Sequence, residues 1–196
     1  MYIKTLKKVS NKEIESLALI HKQVLKESIL NRFGYNFLLN LYKVICLDKD
    51  NIIQIIIISN KVVGYCIATK DASRFYKSIL FGNYFKLSWE IIKNLRGNLK
   101  LIFNILIWIL TSKKNCLYPA ELQFLAILPK YQRQGLGTKL INILKKEYRK
   151  NNIVSFKVGT KAGNTKSDNF YRKNGFKYLY QEKILGEKFN YYLSKT

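Results

Sequence analysis

The chain has 196 residues, 48% of them hydrophobic and 14% aromatic, which is enough apolar matter for one sizeable core and excludes a disordered or low-complexity chain. Its three cysteines, Cys46, Cys66 and Cys116, lie far apart in no metal-ligand spacing, so they read as reduced core thiols and no metal site is expected. The formal charge of +23, from 35 Lys and Arg against 12 Asp and Glu, raises nucleic acid, anionic membrane and anionic cofactor as partners; lysine supplies most of it, and only clustering can choose among them.

Residues 1–8 hold no apolar run of signal-peptide length, and a cytoplasmic protein is expected. Ser10 and Glu13 form a capping-box pattern, after which Ile14, Leu17, Ala18, His21 and Leu25 line one face of a first helix. His21, the only histidine, sits on that apolar face with no nucleophile pattern beside it, so it reads as a core histidine. A second helical pattern runs through Phe37, Leu38, Leu41, Tyr42 and Ile45 and ends near Asp48. Residues 52–59 are β-branched and nearly continuous, Asn60-Lys61 reads as a turn, and residues 62–69 return as a second strand. This hairpin is apolar on both faces, so helices should cover it.

Residues 70–116 are apolar and aromatic yet strongly basic. Lys70, Arg74, Lys77, Lys86, Lys93, Arg96, Lys100, Lys113 and Lys114 stand against Asp71 and Glu90 alone. The most hydrophobic part, residues 101–110, would cover about half of a ~30 Å hydrocarbon core at ~1.5 Å per residue, too short to span a bilayer. Two helices lying on anionic lipid, or packing on the domain or on another subunit, both fit this pattern.

From residue 117 the pattern returns to strand, with Glu121, Gln123, Leu125 and Ile127 expected on one side and Leu122, Phe124 and Ala126 on the other. Pro129 ends it. Gln132-Arg133-Gln134-Gly135-Leu136-Gly137-Thr138 then turns into a helix through Leu140, Ile143, Leu144 and Tyr148. Glycines at that position let backbone N–H groups close on an anion, and the helix start adds partial positive charge. Residues 153–160 form another strand, so strand, helix and strand make a βαβ-like unit with parallel neighbours and an anion site at the first strand's carboxyl end. A short helix over residues 164–173 stops at Asn174-Gly175, and two strands, residues 176–185 and 188–193, turn at Gly186-Glu187.

Three of these motifs, in this order, resemble the GNAT superfamily of acetyl-CoA-dependent N-acetyltransferases. They are the turn Gln132-Arg133-Gln134-Gly135-Leu136-Gly137, the strand Ala120-Glu121-Leu122-Gln123-Phe124-Leu125-Ala126-Ile127, and the segment from Asn164 through Tyr171 to Gly175-Phe176. The resemblance implies an α+β (mixed α/β) fold: one domain over residues 1–196, a central mixed, mostly antiparallel sheet with a splayed parallel pair, and helices on both faces. Residues 70–116 stand outside the common pattern as a basic, apolar helical insertion.

The resemblance also implies acetyl-CoA as co-substrate. Its pyrophosphate would be held by Gln134, Gly135, Leu136, Gly137 and Thr138 with Gln132 and Arg133 at the edge, and its pantetheine arm by Leu125, Ala126 and Ile127. Glu121 is implied as general base and Tyr171 as the acid for the departing thiolate, with Asn164 orienting the cofactor or the short helix that carries Tyr171. The acceptor is implied to be a primary amine on a small molecule, and the basic exterior favours an anionic one such as a nucleotide- or lipid-linked amino sugar. A protein or peptide amine and a non-catalytic acyl-CoA-binding module at a membrane surface remain as alternatives. Nucleic acid is not expected as a partner, because charge alone points to it. Monomer and homodimer are both open, as is peripheral contact with the inner membrane face through residues 70–116.

Overall fold

Local signals set the helix boundaries. The computed structural model describes residues 1–81, 117–184 and 186–196. Helix α1 (Asn11–Val24) starts at a complete capping box, in which Glu13 N–H donates to Ser10 Oγ and Ser10 N–H donates to the Glu13 carboxylate at 2.8 Å. Helix α2 (Gly34–Leu47) buries Phe37, Leu38, Leu41, Tyr42 and Ile45, the stripe its spacing predicts, and stops before Asp48.

Strands β1 (Tyr2–Leu6), β2 (Asn51–Ile58) and β3 (Lys61–Thr69) follow one another antiparallel. Next come helix α3 (Ala72–Phe81), strand β4 (Glu121–Ile127), helix α4 (Leu136–Lys150), strand β5 (Ser155–Lys161), helix α5 (Thr165–Lys173) and strands β6 (Lys177–Ile184) and β7 (Glu187–Lys195). They form one seven-stranded sheet in the order β1-β2-β3-β4-β5-β7-β6, in which β4 and β5 are parallel and the other pairs antiparallel. The mixed, mostly antiparallel sheet is as expected. Strand β1 was not: five residues with alternating exposure at a sheet edge leave only a faint pattern. The hairpin turn also lies one residue earlier than expected, at Ser59 and Asn60. Both have positive φ (48° and 59°), the backbone that a two-residue hairpin turn requires.

Helices cover both faces. On one, α1, α2 and Phe75 of α3 pack on Ile53, Ile55, Tyr65, Ile67 and Ala126. On the other, Leu136, Leu140, Leu144 and Tyr148 of α4 pack with Tyr171 and Phe176 on Ile56, Cys66, Leu122, Phe156 and Val158. Each such side chain, fully buried, contributes about 1.5–3 kcal/mol by transfer from water, so the two layers fix the sheet between them. His21 lies wholly inside the first layer, as its apolar face predicts.

The expected alternation along β4 fails at one point. Ala68 pairs with Leu122 but Ile67 with Phe124, so Gln123 is an extra residue opposite a continuous β3. This bulge puts Phe124 and Ala126 with the α1–α2 layer and Leu122, Leu125 and Ile127 with the α4 layer. Of residues 70–116, α3 is described and lies against α2. The apolar segment 101–110, Cys116 and the basic residues from Lys86 to Lys114 lie outside the described residues. Among the described residues no helix is long and apolar enough to cross a membrane, and no group of side chains could hold a metal ion.

Candidate active site

Two parallel strands part company in the middle of the sheet. β4 and β5 pair only at Glu121 with Lys157 and Leu122 with Val158, with Lys157 N–H donating to Ala120 at 3.0 Å. Beyond that rung both run on unpaired with each other. Leu128 N–H donates to Val63 on the β3 side, so by strand alternation the backbone of Ile127 faces the gap. Gln132 reaches back into this gap, its Nε2 donating to Ile127 C=O at 2.7 Å. The Ile127 N–H beside it is a backbone donor at the open edge.

The turn that follows leaves backbone donors open at a helix start. Arg133 (φ 60°) and Gly135 (φ 73°) are both left-handed, and Gly135 is the residue from which α4 starts. The first intrahelical bond of α4 runs from Lys139 N–H to Gly135 C=O, so the N–H groups of Leu136, Gly137 and Thr138 have no partner within the helix. α1 and α5 satisfy theirs with Ser10 and Asn164, whereas α4 has no side-chain cap and no acidic residue in its first turn. Uncapped donors, a helix dipole and a small residue that admits close approach fit a phosphate oxygen well. Lys166 adds a cation at the rim, its Nζ donating to Gln132 Oε1 at 3.1 Å. Gly137 is required by packing: a Cβ there would lie 2.9 Å from the Phe170 ring, so α5 sits directly against the turn.

At the root of the gap Glu121 is buried, with Tyr76 Oη donating to its Oε1 at 3.4 Å and Lys157 Nζ 3.8 Å from its Oε2. Burial is the largest influence and raises its pKa from 4.5. Lys157 and the Tyr76 hydroxyl pull the other way, Glu182 adds a further push upward, and the balance stands at about 7. An ion pair at 3.8 Å is too long to offset full desolvation, which is why the carboxyl ends poised near neutrality. Tyr76 Oη also donates to Gln123 Oε1 at 3.1 Å, so the bulged residue and the carboxylate share one phenol. Behind them Tyr148 of α4 donates to the carbonyls of Thr69 at 2.8 Å and Glu121 at 3.3 Å, fixing the strand start.

Tyr171 lies on α5 in the opposite layer, buried against Phe170 and Phe176, with ring centroids 5.1 and 5.2 Å away. Burial pushes its phenol well above 10, so it stays protonated at neutral pH. Asn164 caps α5, its Oδ1 accepting from Ser167 N–H at 3.1 Å. The turn residues, Leu125–Ile127 and Glu121 thus line one gap, with Glu121 on the α1–α3 face of the sheet and Tyr171 on the α4–α5 face. Tyr76, Lys157 and Lys166 were not anticipated. The only sequence signal for Lys157 is its place in the strand parallel to Glu121's.

Residues 105–176 match the model of the acetyltransferase (GNAT) family. No curated protein matches the chain by sequence. Among solved structures the fold is similar to an N-acetyltransferase from Staphylococcus aureus Mu50, with 16% identity over 99% of this chain and 100% of that one and a TM-score of 0.68. It is also similar to aminoglycoside 6'-acetyltransferase type Ii, with 14% identity over 100% and 97% of the chains and a TM-score of 0.66. A PaiA N-acetyltransferase from Thermoplasma acidophilum, in complex with coenzyme A, shares 18% identity over 100% of both chains with a TM-score of 0.61. The family match is thus confined to residues 105–176, while the likeness of fold to these acetyltransferase structures extends over the whole sheet.

Proposed function

We propose that the protein transfers an acetyl group from acetyl-CoA directly to the primary amine of a small molecule. The observation that carries this is the uncapped start of α4 beside the open edge of β4: one surface offers donors for a pyrophosphate, and the next offers strand-like partners for an amide-bearing arm. The coenzyme A bound in the Thermoplasma structure of the same fold supports that ligand. Gln134, Gly135, Leu136, Gly137 and Thr138 would bind the pyrophosphate through backbone N–H groups, with Gln132 and Arg133 at its edge and Leu125, Ala126 and Ile127 along the pantetheine.

An alkylammonium is no nucleophile, so a proton must leave it first. Glu121, poised near neutrality and buried, accepts that proton directly or through a water. The neutral nitrogen then adds to the thioester carbon from the Glu121 face of the sheet. The carbonyl oxygen's developing charge meets a backbone N–H of the open β4 edge, and the C–S bond breaks with its electron pair on sulfur. The sulfur takes the phenolic proton of Tyr171 on the other face, and the second proton of the adduct nitrogen passes through solvent to restore that phenol. The groups needed are a base on one side of the gap and an acid on the other, and no covalent enzyme intermediate is required.

The basic stretch 70–116 supports an acceptor that carries phosphate as well as its amine, such as a nucleotide- or lipid-linked amino sugar. Release of free thiol from acetyl-CoA, measured over amino sugars, amino acids, peptides and polyamines, tests the reading. Turnover confined to peptides would move the acceptor to protein amines. Acetyl-CoA bound without any turnover would leave a binding module, for which salt-sensitive cosedimentation with anionic vesicles is the companion measurement.

A further inference from the structure

Beyond Glu121, the same face of the sheet continues as an ordered polar surface. Strand register places it: Glu121 stands opposite Lys157, Gly159 opposite Tyr191, and Tyr191 opposite Tyr180, with Glu182 two residues along the strand from Tyr180. Contacts agree with the register. Lys157 Nζ lies 5.3 Å from the Tyr191 ring centroid, and the Tyr191 and Tyr180 rings stack at 4.8 Å with planes 27° apart. Gly159 is what lets Tyr191 lean across β5 towards β4, since a Cβ there would meet the ring at 3.2 Å. Across this surface the charge of Glu182 is felt at Glu121, at Tyr76 and at Tyr191.

Two buried polar atoms of this surface lack hydrogen-bond partners among the described residues: Gln123 Nε2, whose amide is held beside Glu121 by Tyr76, and Tyr180 Oη. Leaving such groups unsatisfied costs about 1–3 kcal/mol each, so their positions ask for a ligand. The chemistry they ask for is mixed. Two carboxylates draw a cation, the Gln123 amide donates to an oxygen, and the Tyr180 hydroxyl takes a second polar group.

Resting on the acetyl-transfer reading above, we propose that Glu182, Tyr180 and Gln123 form the acceptor subsite and select a primary ammonium with a neighbouring hydroxyl, a vicinal amino alcohol such as an amino sugar. Glu182 holds the ammonium on its way to Glu121, Gln123 Nε2 donates to the adjacent hydroxyl oxygen, and the stacked tyrosines form the wall against which the ring lies. Glu182 adds a second carboxylate to this face beyond the Glu121–Lys157 pair, so a further cationic group is drawn inward there.

Glucosamine and cyclohexylamine, ring amines with and without neighbouring hydroxyls, are the probes, with acetyl-CoA affinity measured separately by calorimetry. Glucosamine should be acetylated with kcat/KM at least about tenfold above cyclohexylamine. Glu182→Gln should raise the KM of both about tenfold, leaving kcat within about threefold and acetyl-CoA affinity unchanged, and Glu182→Asp should fall between. A Glu182→Gln protein with the wild-type KM, equal use of the two amines, or acetyl-CoA binding with neither amine turned over overturns the subsite. Failure of the wild-type chain to bind acetyl-CoA overturns instead the reading beneath it.

Discussion

Glu121 Oε2 lies 3.8 Å from Lys157 Nζ, one rung before β4 and β5 separate. The strands pair only here and at Leu122 with Val158, so the carboxylate is fixed at the root of the gap by backbone as well as by charge. As base it must be ionised, which makes kcat/KM rise with pH, about tenfold per unit below 7, and level off above about 7. Glu121→Gln should lower kcat by about 10²–10³-fold and abolish that limb. A variant with an unchanged pH profile would remove Glu121 from the chemistry.

Lys157 pulls the carboxyl down against its burial, so its removal should push the same limb the other way. In Lys157→Met, activity near pH 6 should fall about tenfold for each unit of upward displacement and recover by pH 9. A pH-rate profile of the two proteins decides it. A uniform loss at every pH would make Lys157 a packing residue only.

The glycine turn and the helix ends were legible because their causes are local. Ser10 and Glu13, three residues apart, cap their own helix, and Gly135 sits at a left-handed position that glycine suits best. The environment of Glu121 was not legible, because it is assembled from distance. Tyr76 is 45 residues away, Lys157 arrives on the parallel strand, and Glu182 comes from beyond another helix. The bulge at Gln123 left no mark either: Leu122-Gln123-Phe124-Leu125 carries no glycine, and the slip is visible only against β3. Tyr171 and Asn164 were placed by resemblance, and what geometry adds is that Asn164 caps the helix on which Tyr171 rides.

Gly137→Ala separates helix propensity from packing. Alanine is the better helix former, though at the second position of α4 the gain is less than the ~1 kcal/mol of a helix interior, and its Cβ would sit 2.9 Å from Cε2 and Cζ of Phe170. The ring must move, and α5 with it. The single variant should bind acetyl-CoA about tenfold more weakly, and adding Phe170→Leu should restore most of that affinity. Calorimetric Kd values for the two variants check the coupling, and additive losses would mean that Gly137 does not act through Phe170.

His21 sets an acid limit on stability. Its Nδ1 lies 2.7 Å from Tyr42 Oη in a layer closed to water, and burial lowers its pKa from 6.5 to about 4. For a base with a depressed pKa, the unfolded chain takes up a proton below 6.5 while the folded chain does not until about 4. The contribution of neutral His21 is therefore complete above 6.5 and is lost as pH falls through that window, by roughly 3 kcal/mol in all at about 1.36 kcal/mol per unit. His21→Gln should remove this part of the slope. Urea unfolding at pH 7.5 and 4.5 should then show wild type losing about 2–3 kcal/mol more than the variant on acidification. Equal losses in the two proteins would mean that another group, not His21, carries the acid sensitivity.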